Sequence, residues 1–468
     1  MRIEHDFLGE RELPDDVYYG VQTLRAIENF PITGIKIELM RSFIVAFGFV
    51  KKAAAMANRD LGVLDPVKAD AIMAACDAVI DGELMDQFPV DVMQGGAGTS
   101  TNMNVNEVIA NKALEILGHP KGSYDIIHPN NHVNLSQSTN DAYPTALRLS
   151  VWYEIQFLIH ELDQLKDSFL AKGYEFRDVI KMGRTQLQDA VPMTLGEEFE
   201  AFAVNIKEDI QRLGEIGVLV TEVNLGATAI GTSINAPDGY PELATRYLGE
   251  LCDVPVRLAA HLIEATWDTG PFVEISGLLK RVAVKLSKIC SDLRLLSSGP
   301  RTGLNEINLP PMQPGSSIMP GKVNPVIPEV VNQICFRVIG NDVTISFAAE
   351  HGQLQLNVME PVIGFCLFQS ITMLSNGCRV LREKCVDGIT ANREHAKQMV
   401  LNSIGIVTVL NPILGYEMAA SIAREAYETG GSVIDIVRQR GLVSEEIIKE
   451  IFSIENLRRP KYYGKIDL

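Results

Sequence analysis

The sequence has no early apolar run long enough to cross a bilayer, no CxxC pair and a deficit of positive charge, and each absence excludes a class of protein. Forty-two Lys and Arg stand against 59 Asp and Glu, a formal charge of −17. Nucleic-acid binding needs clustered cations facing phosphate, so this balance argues against it. It also sets a requirement, because an anionic substrate would need local positive potential from a Lys, an Arg or helix N-termini. The seven cysteines (Cys76, Cys252, Cys290, Cys335, Cys366, Cys378, Cys385) are odd in number and lie mostly in apolar stretches. That pattern fits reduced, buried thiols, and a cytoplasmic protein is expected. Met1-Arg2-Ile3-Glu4-His5-Asp6 carries charge where a signal peptide needs an apolar core. Ser42 to Val50 is apolar but stops at Lys51-Lys52, too short to span a membrane, and no insertion is expected.

What is present is helical period. Trp152, Ile155, Leu158, Ile159, Leu162, Leu165 and Phe169 recur at spacings of three and four, with charge between them. Ile275, Leu278, Leu279, Val282, Leu286, Ile289, Leu293 and Leu296 repeat the pattern opposite Lys280, Lys285 and Lys288. Two more helices are expected from Glu197 to about Val223 and from Glu329 to about Glu350. These stretches exceed the mean globular helix and contain no Pro, which points to an all-α bundle of long helices. At 468 residues the chain is long enough for several cores. Three domains are expected: 1–140, 141–393 as the central long-helix bundle, and 394–468 as a small helical domain. Gly and Pro punctuate the chain at Gln94-Gly95-Gly96-Ala97-Gly98, at His128-Pro129-Asn130-Asn131, at Asn224-Leu225-Gly226 and from Pro310 to Asn324.

The polar chemistry gathers at those breaks. Gly315-Ser316-Ser317-Ile318-Met319-Pro320-Gly321-Lys322-Val323-Asn324-Pro325 places two hydroxyls, a Lys and an Asn on one irregular segment. By composition alone such a stretch is more often a mobile surface loop. The same loop, however, closely resembles the signature of the fumarase/aspartase superfamily. Gly98-Thr99-Ser100-Thr101-Asn102-Met103-Asn104, Ser136-Gln137-Ser138-Thr139-Asn140-Asp141 and Gly183-Arg184-Thr185-Gln186-Leu187-Gln188-Asp189, followed by Thr194-Leu195-Gly196, resemble its other regions. The likeness runs from Tyr18-Tyr19-Gly20 to Asn402-Ser403-Ile404-Gly405, essentially the whole chain. Fumarases typically carry His where this sequence has Gln186. That Gln, the segment Asn224 to Thr232 and the segment Gln353 to Pro361 are similar to the bacterial aspartase branch.

The resemblance implies a three-domain, all-α fold whose long helices assemble into a tetrameric core. It further implies reversible elimination of ammonia from L-aspartate to give fumarate. Removing a proton beside a carboxylate creates a doubly charged aci-carboxylate, tolerable only among fixed donors. By resemblance Thr99, Ser138, Thr139 and Ser317 surround the β-carboxylate, and Lys322 with Asn324 holds the α-carboxylate. Asn140, Thr185 and Gln186 hold the amino group, and Ser316 is the base that takes the Cβ proton. A serine hydroxyl is a poor base unless backbone N–H groups and positive charge stabilise its alkoxide, which a Gly-Ser-Ser turn can supply. In the family the segments around residues 99, 139, 185 and 316 converge from three subunits, so a homotetramer with shared sites is implied.

No cofactor is expected, and activation by a divalent cation such as Mg²⁺ is left open. His128 and His132 stand four apart, as zinc ligands on a helix do, but Pro129 and the Asn pair predict a loop, and no metal site is expected there. The nearest alternative is a fumarate hydratase on the same fold. A catalytically silent relative, such as the lens homologues of argininosuccinate lyase, need not keep Ser316, Lys322 and Asn324 together.

Overall fold

The structure, a computed structural model, describes residues 1–458. A hairpin of β1 (Arg2–Asp6) and β2 (Gly9–Leu13) leads into α1 (Val21–Asn29), α2 (Arg41–Asp60), α3 (Pro66–Ile80) and α4 (Thr99–Ile116). The long α5 (Thr139–Glu175) follows, then a second hairpin of β3 (Ile180–Thr185) and β4 (Gln188–Thr194), and α6 (Leu195–Gly217). After α7 (Tyr240–Cys252) and α8 (Leu262–Trp267) come α9 (Gly270–Leu296), α10 (Val326–Glu350) and α11 (Glu360–Lys384). The described chain ends in shorter helices, beginning with α12 (Arg393–Asn402). Strands pair only in twos among the described residues. The expected all-α class is what the chain adopts.

The apolar stripes read from the sequence are the buried faces. In α9 Ile275, Leu279, Val282, Leu286, Ile289, Leu293 and Leu296 are all buried. In α5 Ile155, Leu158, Leu162, Leu165 and Phe169 do the same. Two further features have local causes. α5 begins at Thr139 and runs through Pro144. A proline in a helix leaves the carbonyl four residues back without its usual donor. Here that carbonyl belongs to Asn140, and the Asn224 side-chain amide donates to it at 3.0 Å. The helix expected to reach Val223 instead ends at Gly217 and tightens into one 3₁₀ turn, Val218–Thr221.

The chain forms two compact units, each built from three separate stretches. One comprises Met1–His160, Ile210–Ala283 and Cys335–Ser375; the other comprises Glu161–Asp209, Val284–Ile334 and the chain from Asn376 onward. In the first unit the ring pairs of Phe43, Phe47, Tyr143 and Phe368 form an aromatic cluster. In the second, Ile180 and Met182 of β3 are buried in one core with Val400, Ile406, Leu410, Ile422, Val437 and Ile451. One stretch, Glu360–Gly388, is long and apolar enough to cross a membrane, but 67% of its most apolar window is buried inside the protein, as for a core helix.

Candidate active site

In the first unit, two helix N-termini bring one group of the expected residues together. α4 starts at Thr99, with Gly98 as its N-cap at φ +87°. A Cβ on Gly98 would lie 2.2 Å from the ring of the buried Tyr143, in α5. Both the left-handed backbone and the close approach therefore require glycine. We expect Gly98→Ala to cost about 1–3 kcal/mol of stability, read as a lowered denaturant midpoint; an unchanged midpoint would mean that the ring gives way freely.

Ser138 and Asp141 cap the start of α5 reciprocally, as a capping box does. The Asn140 N–H donates to Ser138 Oγ at 3.2 Å, and the Ser138 N–H donates to Asp141 Oδ1 at 2.9 Å. The other Asp141 oxygen accepts from the N–H groups of Gly226 (3.1 Å) and Thr228 (2.9 Å). Burial pushes Asp141 up to about 7, with these backbone donors and Lys51 pulling the other way. The Asn140 side-chain amide donates to the Ala229 carbonyl at 2.7 Å, which leaves its Oδ1 to accept from an ammonium. Thr139 Oγ accepts from Asn102 Nδ2 at 3.1 Å, so its own O–H can donate outward. Thr99 Oγ donates to the Gly96 carbonyl at 2.8 Å and would have to turn to reach a ligand.

In the second unit the expected residues occupy a hairpin tip and a loop. Thr185 closes β3, and Gln186 and Leu187 form the turn in left-handed conformation, at φ +53° and +63°. The hairpin is pinned at several points. The buried Glu306 pairs with Lys181 Nζ at 3.0 Å and with Arg184 Nη1 at 2.7 Å, and Lys181 also meets Glu198 at 2.6 Å. Ser403 Oγ donates to Asp189 Oδ2 at 2.6 Å.

The loop from Pro311 to Val323 borders a cleft of about 500 Å³ lined by Ser316, Met319 and Lys322 among others. Its neck is drawn closed by two bonds: the Gly315 N–H donates to the Lys322 carbonyl at 2.7 Å, and Asn324 Nδ2 donates to the Gly315 carbonyl at 2.8 Å. Here too a side chain would not fit, since a Cβ on Gly315 would lie 2.8 Å from Asn324 N and the Lys322 carbonyl oxygen. Within the loop, Ser316 Oγ accepts from the N–H groups of Met319 at 2.9 Å and Ile318 at 3.2 Å. Ser317 and Lys322 are exposed. Among the described residues no hydrogen bond or ion pair joins this loop to the hairpin tip at Thr185 and Gln186.

The histidine pair forms one turn of π-helix, Pro129–Val133, rather than a loop. Three of its four ring nitrogens already have partners: His128 Nδ1 accepts from the Asn130 and Asn131 N–H groups, His132 Nδ1 accepts from the His128 N–H, and His132 Nε2 lies 3.1 Å from Lys68 Nζ. Among the described residues no three His, Cys, Asp or Glu side chains are grouped to hold a metal ion.

In the sequence Lys51 marks only the end of an apolar run. It is fully buried, and its Nζ donates to Asn102 Oδ1 at 2.7 Å, Gln137 Oε1 at 2.9 Å and Asn134 Oδ1 at 3.0 Å. The spacing Phe47, Lys51, Ala54, Asn58 sets it on the buried face of α2 and could have revealed it.

The sequence matches the protein family described as Lyase over residues 9–340 and that described as Fumarase C C-terminus over residues 406–459. It is 57% identical over 466 residues to an aspartate ammonia-lyase of Escherichia coli (strain K12), covering 99% of this chain and 98% of that protein. It is 58% identical over 461 residues to one of Pseudomonas aeruginosa, covering 98% and 97%. Among solved structures, the fumarate lyase:delta crystallin from Brucella melitensis bound to cobalt superposes with a TM-score of 0.95 at 54% identity, covering 97% of this chain and 98% of that one. The class II fumarase of Schistosoma mansoni superposes at 0.93 and 34% identity, covering 98% and 99%.

Proposed function

The chain belongs to the fumarase/aspartase superfamily of lyases, and from that premise we infer that it catalyses the reversible elimination of ammonia from L-aspartate to give fumarate. The observation that carries the choice of substrate is the 57% identity to an aspartate ammonia-lyase over 99% of the chain, against 34% to the class II fumarase.

Residue roles follow from the donors described. Ser316 Oγ takes the Cβ proton, and the two N–H groups already aimed at it are where an alkoxide would need them. The electrons of the broken C–H bond move onto the β-carboxylate as an aci-carboxylate. Thr99, Ser138, Thr139 and Ser317 donate to that charge. Asn140, Thr185 and Gln186 orient the amino group, while Lys322 and Asn324 hold the α-carboxylate. The aci-carboxylate then collapses, the Cα–N bond breaks, its electrons leave with nitrogen, and fumarate and ammonia remain. None of these steps calls for a cofactor, and a divalent cation would act as an activator outside them.

The assembly is a homotetramer in which the segments around residues 99, 139, 185 and 316 of one site converge from three subunits, with Thr185 and Ser316 on different ones. Supporting this, Phe336, Val343 and Phe347 are 62%, 52% and 67% exposed on α10, at the seven- and four-residue spacing of a helix–helix seam. The three-domain division at 140 and 393 belongs to this reading, as does a cytoplasmic location, which suits the buried free thiols.

The direct test follows the ultraviolet absorbance of fumarate with and without ammonium. Consumption that requires ammonium and yields L-aspartate is expected; malate formed without ammonium would replace this reading with a hydratase.

A further inference from the structure

Taking the elimination reaction as given, we propose that Lys51 is a positioning residue that strengthens the β-carboxylate site through a relay of hydrogen bonds, Lys51 to Asn102 to Thr139. The chain is continuous and runs one way. Lys51 Nζ donates to Asn102 Oδ1 at 2.7 Å, and Asn102 Nδ2 donates to Thr139 Oγ at 3.1 Å. A hydroxyl that accepts one bond has its single proton left to give, and among the described residues nothing accepts from Thr139. The relay therefore ends on an O–H at the first turn of α5, on a residue that is not fully buried.

The state of the lysine follows from its surroundings. Three amide oxygens, from Asn102, Asn134 and Gln137, each take one N–H. Only an ammonium has three to give. No carboxylate forms an ion pair with it among the described residues. Burial pushes Lys51 down to about 7, with the charge of Asp141 pulling the other way, and the three acceptors around its Nζ favour the charged form; the Asp141 oxygens themselves already accept from Ser138, Gly226 and Thr228. A buried cation held only by neutral acceptors is costly in the free protein. It is rewarded when an anion arrives at the far end of the relay, and most when that anion gains its second charge. Each link polarises the next, so the Thr139 O–H is a stronger donor than a lone hydroxyl would be. The amide acceptors fix the direction of the relay as well. Asn134 Oδ1 accepts from Lys51, Asn102 and Asn106 together, which commits the Asn102 carbonyl to the lysine and its NH₂ to Thr139.

The test compares two probes of the same size. Succinate presents an ordinary carboxylate, whereas the nitronate anion of 3-nitropropionate carries two anionic oxygens on a planar centre, as the aci-carboxylate does. In Lys51→Met we expect kcat for L-aspartate to fall about tenfold or more and nitronate affinity to fall by a similar factor. Succinate affinity and KM should change less than about threefold, because the relay answers the charge that develops in the transition state. Asn102→Leu cuts the relay while leaving Lys51 its other two acceptors, and it should reproduce the pattern if Lys51→Met does not fold. Equal weakening of succinate and nitronate, or an unchanged kcat in a folded variant, would overturn the proposal. Wild-type protein that releases no ammonia from L-aspartate would instead overturn the functional reading on which it rests.

Discussion

Ser316→Ala is expected to lower kcat for L-aspartate by about 10³-fold, within the range for loss of a general base, while the fold is unchanged. The hydroxyl sits where a base is both exposed and supported: it faces the 500 Å³ cleft with Lys322, and two backbone N–H groups, from Ile318 and Met319, point at its oxygen. Removing it also removes the acceptor that folds residues 316–319 into a turn, so a fall in kcat alone would not separate chemistry from loop shape. Exchange of the L-aspartate C3 proton with solvent deuterium makes that separation. If Ser316 takes the proton, exchange and elimination fall together. Elimination lost with exchange retained would assign the proton to another group. The Ser317→Ala variant, lacking a donor but keeping the base, should lose less.

The second large effect is a recovery. Ser316→Ala and Thr185→Val should each be nearly inactive, yet a mixture dissociated and reassembled should regain a measurable fraction of wild-type activity. The reason is combinatorial. If Ser316 and Thr185 of one site come from different subunits, some mixed tetramers contain sites that draw Ser316 from a Thr185→Val copy and Thr185 from a Ser316→Ala copy, and so hold both residues intact. If both residues of a site come from one subunit, every site in the mixture lacks one of them. Subunit exchange, followed by mass spectrometry of tagged copies, must be demonstrated alongside. Proven exchange without recovery would rule out a site divided in this way.

How much of this was legible beforehand depends on what each residue's environment rests on. Periodicity exposed the buried stripes of α5 and α9, because a long helix packed on one side repeats its apolar residues whatever else it does. A first bundle helix beginning near residue 140 is legible as well, but how α5 passes Pro144 is not, since that depends on a tertiary partner, Asn224, filling the gap. The Ser316 loop stood out because Gly315 and Pro320 exclude regular structure around concentrated hydroxyls. Lys51 was hidden for the opposite reason. A lysine at the end of an apolar run reads as a solvated terminus, and only the three amide oxygens brought from α4 and the segment before α5 make it a buried ammonium. Glu306 likewise means nothing until β3 lays Lys181 and Arg184 against it. Pro129 predicts a loop at the histidine pair, yet it opens a single wide helical turn.

Pro144 is ordinarily the mark of a helix about to fail. In α5 it instead turns one peptide oxygen into a keyhole, and the side chain of Asn224 is cut to fit it. The keyhole belongs to Asn140, a residue assigned to grip the leaving nitrogen, so the same notch that weakens the helix fastens the substrate's handle to its foundation. Part of the precision of this site is thus written as a bond that the main chain is forbidden to make with itself.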